Sequence, residues 1–138
     1  MFDASYFIDK INSETSYIAQ WAKAKEPIEI SEQELPKIYV GYANIDSINP
    51  TNPKTYDEFE LHGEDLTQYF DIQINCKIED LPTIWQTVYD LFVGENPVPT
   101  EKNYSGLTYS QGGVMGLENK TIWWVDRWKI SFPTLNVF

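Results

Sequence analysis

The stretch from Leu66 to Ile78 alternates so regularly that it restricts the chain to folds built around one long strand. Its even positions are Leu66, Gln68, Phe70, Ile72, Ile74, Cys76 and Ile78, and its odd positions are Thr67, Tyr69, Asp71, Gln73, Asn75 and Lys77. Side chains alternate across a strand, so this pattern predicts one buried face and one wetter face. Gln68 is the only polar residue on the apolar side. Glu79-Asp80-Leu81-Pro82 then ends the strand and opens a helix. Asp80 suits the N-cap, and Pro82 fits the first turn, where no N–H is needed. Ile84, Trp85, Val88, Leu91 and Phe92 recur at helical spacing, and Gly94 offers a C-terminal stop.

The rest of the chain is arranged around that unit. Ser5 to about Lys23 reads as a first helix with Phe7, Ile11, Ile18 and Trp21 on one stripe and Asp3 or Ser5 as cap. After a Pro-bounded acidic loop, Lys37 to about Ile45 reads as a strand, with Ile38, Val40 and Tyr42 sharing a face. Two Asn-Pro pairs follow in Asp46–Pro53. Thr55–Leu61 then pairs with Leu66–Phe70 as a hairpin arm projecting from the sheet, about residues 46–66. Beyond a loop at Glu95–Asn103, a strand over Ser105–Ser110 resumes at Val114–Leu117 after Gly112-Gly113. Asn119-Lys120 turns the chain into a last strand, Ile122–Phe132, closed by Pro133. The expected fold is a single α+β domain spanning residues 1–138. It has a mainly antiparallel sheet of four to five strands with two helices packed on one face, plus the projecting arm.

Charge narrows the classes of function. The chain of 138 residues carries a net charge of −11. Its first hundred residues hold 18 acidic against 6 basic residues, and the remainder 3 against 4. Arg127 is the single arginine and no basic stripe exists, which disfavours binding to nucleic acid or anionic membranes. The N-terminus lacks the basic and apolar regions of a secretory signal, and no apolar run approaches a membrane span, so a cytosolic origin is expected. The single cysteine, Cys76, falls on the apolar strand face and reads as an inert core thiol.

No catalytic motif emerges, so the chain is not read as an enzyme. The single histidine, His62, lies among Asp57, Glu58, Glu60, Glu64 and Asp65, but a transition-metal site usually needs two or more His or Cys ligands. Gly112-Gly113-Val114-Met115-Gly116 has no helix after it to cradle phosphate and reads as a kink or bulge. No metal or cofactor is therefore expected. Asp126 interrupts an apolar strand face: strand-end exposure or a local hydrogen bond is the preferred reading, and an intersubunit salt bridge the alternative. Trp123 and Val125 point away from Trp124 and Trp128, and apolar residues on a wet face commonly mark a partner surface.

Two stretches carry a family resemblance. Gln68-Tyr69-Phe70-Asp71-Ile72-Gln73-Ile74 runs straight into the helix Leu81–Val93, which ends in Leu91-Phe92-Val93-Gly94. Trp123-Trp124-Val125-Asp126-Arg127-Trp128-Lys129-Ile130-Ser131-Phe132 forms the last strand. Together with the leading helix, this order resembles the tail terminator and tail-completion (head–tail joining) proteins of long-tailed bacteriophages. The resemblance implies a structural protein of the virion tail, made in the host cytoplasm, whose homo-oligomer is a ring of six copies. Such a ring caps the tail tube at its head-proximal end, meets the tube protein and a head-completion or neck protein, and lets DNA pass without specific binding. On that reading Tyr56, Phe59, Trp123, Val125, Arg127, Val137 and Phe138 are the expected subunit or partner contacts. The alternatives are a head-side neck or connector protein of similar fold, and a small acidic binding module of the immunity type for a basic partner.

Overall fold

A computed structural model describes residues 2–22, 35–43, 55–56, 59–62, 65–97 and 105–133. In chain order these form α1 (Ser5–Glu14), β1 (Ala19–Trp21), β2 (Lys37–Tyr42), β3 (Thr55–Tyr56), β4 (Phe59–His62), β5 (Asp65–Lys77), α2 (Leu81–Phe92), β6 (Thr108–Glu118) and β7 (Thr121–Pro133). The fold is α+β. All the strands join one sheet centred on β5. Along one edge of β5 lies β7, in antiparallel register from Asp65 opposite Pro133 to Lys77 opposite Thr121. The other edge is shared: β2 pairs with Phe70–Asn75 and β4 with Asp65–Gln68. Among the described strands the sheet ends at β6, beyond β7, at β1, beyond β2, and at β3, beyond β4.

The long strand is as the alternation predicts. Phe70, Ile72, Ile74 and Cys76 are buried in the core. They pack there with Phe7 and Ile11 of α1, Ile84, Val88 and Phe92 of α2, and Trp128 and Ile130 of β7. The ring of Phe7 lies 5.2 Å from that of Phe70 and 4.9 Å from that of Phe92, so one residue of α1 touches both the central strand and α2. Gln68, the polar exception on this face, is buried for a specific purpose. Its amide accepts from Phe2 N at 3.2 Å and donates to Phe2 O at 2.9 Å, fastening the N-terminal segment to β5. Cys76 is buried as expected, and burial, together with the nearby Asp80 charge, pushes its thiol up to about 11.

The first helix is shorter than its apolar stripe predicts. It ends at Glu14, and the chain from Ala19 to Trp21 becomes a strand parallel to β2, with Ala19 opposite Ile38. Local side-chain bonding overrides the periodicity. Thr15 turns extended, its hydroxyl donating to Ile11 O at 2.6 Å and accepting from Tyr17 N at 3.1 Å. Asn12 then folds forward, donating to Ala19 O at 3.1 Å and accepting from Ala19 N at 2.7 Å. Ile18 and Trp21, expected on the buried stripe, are exposed as a result. The parallel β1 makes the sheet mixed, while the other described pairings are antiparallel, so the sheet is mainly antiparallel as expected.

Other boundaries shift for identifiable reasons. A turn of 3-10 helix at Ile78–Asp80 precedes α2, so Asp80 occupies the N-cap position with helical backbone and makes no side-chain cap bond. Gly94 does stop α2: it takes φ of 72°, and its N–H donates to Leu107 O at 3.2 Å. The two segments expected around Gly112-Gly113 are one strand, β6, with register shifts between Tyr109 and Gln111 and between Val114 and Gly116. Because β7 runs to Pro133, the start of β5 lies between β4 and β7 and does not leave the sheet with β4 alone. Of the expected arm, β3 and β4 are described; residues 46–54, 57–58 and 63–64 lie outside the described residues.

Asn12 generates the first prediction. Asn12→Ala removes both side-chain bonds to Ala19 and should cost about 1–2 kcal/mol of stability in urea unfolding. The loss of amide-exchange protection should concentrate in residues 19–21 if the clamp is what holds β1.

Candidate functional site

The face of the sheet opposite the core is tied together across strands. Arg127 on β7 sits directly opposite Asp71 on β5. Its Nε donates to Asp71 Oδ1 at 2.7 Å and its Nη2 to Asp71 Oδ2 at 2.9 Å, a two-bond fork with side chains only 10% and 15% exposed. Two residues along β7, Val125 is half-buried; beyond it, Trp123 is half-buried and donates from its indole N–H to Gln73 Oε1 at 3.1 Å. Thr67 and Ser131 share a hydroxyl hydrogen bond of 2.8 Å. The sequence expectation brought Trp123, Val125 and Arg127 to one face, and the structure does the same. Their polar groups are engaged within the chain, however, and Arg127 has its charge matched by Asp71.

On the core side, Asp126 is buried rather than exposed at a strand end. One carboxylate oxygen, Oδ1, accepts from Trp124 Nε1 at 2.7 Å, Trp85 Nε1 at 3.0 Å and the Tyr109 hydroxyl at 3.0 Å. The local hydrogen bond is thus threefold, and it joins α2, β6 and β7. Burial raises the Asp126 carboxyl above its usual range, and the three donors only partly oppose this. Tyr109 is pushed up to about 12 by burial and by the Asp126 charge beside it. Gly112 makes the arrangement possible. A Cβ there would lie 2.8 Å from both Asp126 Oδ1 and Trp124 Cζ2, and nearer still to the Tyr109 hydroxyl. The neighbouring Trp128 indole, packed between Tyr89, Phe92 and Tyr109, has no hydrogen-bond partner for its N–H among the described residues.

The exposed apolar side chains lie elsewhere. Six of the eight large hydrophobics exposed among the described residues are at the ends of the sheet: Ile18, Trp21 and Tyr42 beside β1 and β2, and Val114, Met115 and Leu117 on β6. Trp21 and Tyr42 stack with ring centroids 6.2 Å apart. A shallow cleft of about 350 Å³ adjoins Ile18, lined by Ser16, Tyr17, Gln20, Pro36 and Lys37 as well. None of these six was among the expected contacts, because the sequence does not say which strands end a sheet. The expected contacts Tyr56 and Phe59 lie opposite each other in the β3–β4 pair, while Val137 and Phe138 are outside the described residues. Among the described residues no group of three His, Cys, Asp or Glu side chains could hold a metal ion. No helix among the described residues is long and apolar enough to cross a membrane.

No family model matches the chain, and no curated protein matches it.

Two substitutions test the geometry. Arg127→Ala leaves the half-buried Asp71 without its partner and should cost about 2 kcal/mol in the isolated subunit, measured by denaturant unfolding. For Asp126 the folded-state pKa is raised, so its contribution to stability is fully present below the unfolded value and is lost as pH rises through the folded value. Asp126→Asn removes that titration. Its stability relative to wild type should therefore rise with pH above the ordinary carboxylate value of about 4; a difference independent of pH would show that the carboxylate is not penalised by burial.

Proposed function

We propose that this protein is a tail terminator of a long-tailed bacteriophage, a non-enzymatic virion component that forms a ring on the head-proximal end of the tail tube. Both helices are taken to lie on the face of the sheet that carries Phe70, Ile72 and Ile74, leaving the opposite face and the arm for contacts with tube and neck. The observation that carries the reading is the central unit: β5 running through one turn into α2, flanked along its whole length by the Trp-rich β7. These are the stretches in which the sequence resembles that family. The charge of −11 suits a passage that DNA traverses without adhering. Half-buried Trp123 and Val125 give the outer face of β7 an apolar strip for a tube or neck partner.

The same charge supports a second reading, a monomeric acidic module that binds a basic partner. Light scattering on a size-exclusion column separates the two. The terminator reading expects a species near six times 16.1 kDa, or a concentration-dependent step towards it. Added to polymerising tail-tube protein, the protein should also shorten the tubes and mark one end in electron micrographs. A strict monomer that leaves tube length unchanged would instead favour the binding module.

A further inference from the structure

The two apolar edge patches occupy the ends of a single rung of the sheet. Ala19 in β1 lies opposite Ile38, Ile38 opposite Ile74, Ile74 opposite Trp124, and Trp124 opposite Val114 in β6. Beside Ala19 stands Ile18, 72% exposed; beside Val114 stand Met115 and Leu117, 55% and 64% exposed. Both edges are also poor in charge, with Lys37 beside Ile18 and Glu118 after Leu117 as the exceptions. From Thr15 to Ala22 and from Asn103 to Leu117 the sequence has no charged residue, in a chain whose net charge is −11. Two copies of so acidic a chain repel one another over most of their surface and can approach closely only where charge is missing.

We propose that these edges form one head-to-tail interface between copies of this chain, with Val114, Met115 and Leu117 of one subunit packed on Ile18 and Trp21 of the next. Different patches on opposite sides of one subunit make a heterologous contact, which builds rings when its rotation closes. Side chains dominate this contact. Asn12 already occupies the N–H and C=O of Ala19, so at that point β1 does not extend its ladder into the neighbour. The proposal rests on the ring reading for its setting, and it names the surface by which the ring would form.

The test uses Ile18→Glu and Leu117→Glu in the full chain. Both side chains are exposed, so each variant should keep the circular dichroism spectrum and melting temperature of wild type. In light scattering, wild type should assemble beyond two copies, and each variant alone should remain monomeric. Mixed together, the two variants retain one intact interface between them and should form a species of two copies and no more. Assembly of Ile18→Glu like wild type, failure of the mixture to associate, or a wild type that stays monomeric up to its solubility limit would each overturn the interface. The two proposals fail separately. An assembled wild type that ignores tail tubes would remove the terminator reading and leave the interface standing. Rings on tube ends formed equally well by both variants would do the reverse.

Discussion

The antiparallel ladder between β5 and β7 is the constraint on which the rest of the structure depends. Thirteen residue pairs fix its register. That register sets Phe70 opposite Trp128 on the core face, and Asp71 opposite Arg127 on the other. It also carries Asp126 to the core side, within reach of α2 and β6. Because side chains alternate with a period of two, a slip of one residue would turn the apolar set outward and bring charges into the core. The Asp71–Arg127 fork and the Trp123–Gln73 bond exist only in the observed register, so each reinforces it from the outer face.

Polar groups in the core act as joints between elements that hydrophobic packing alone would hold in less definite positions. Gln68 fastens the N-terminal segment to β5, and Asp126 joins α2, β6 and β7 through one oxygen. Dispersion and burial are non-directional. Three donors converging on one acceptor are not, and they require Gly112 at a single place on β6, since any side chain there would collide with the cluster. The bulges that flank Gly112 let β6 follow β7 while bringing that glycine over the carboxylate.

Much of this was legible in the sequence. The central strand, the second helix and the last strand were, because each is long and keeps one period throughout. The burial of Cys76 and the alternation of Trp123 and Val125 against Trp124 and Trp128 followed from the same periodicity. The first helix was overextended because Ile18 and Trp21 happen to continue the phase of Phe7 and Ile11, while what stops it is hydrogen bonding by Asn12 and Thr15, which apolar periodicity does not register. For Asp126 the preference for a local hydrogen bond was correct in kind. Its donors, though, come from positions 85, 109 and 124, a meeting that only the tertiary fold creates. The exposed edge patches were invisible for a related reason: whether Leu117 is core or surface depends on β6 having a single neighbour.

The placement of Cys76 makes the molecule its own reporter. It is the only thiol in the chain, it lies on the strand to which the described strands β2, β4 and β7 all attach, and burial keeps it protonated at neutral pH. Cys76 lies one residue from the end of β5, past its pairing with β2 and opposite Ile122 of β7, so a thiol reagent gains access when this end of the core opens. Its labelling rate follows the opening of that end of the core. Compared with and without a binding partner, that rate measures how firmly the partner holds the fold closed.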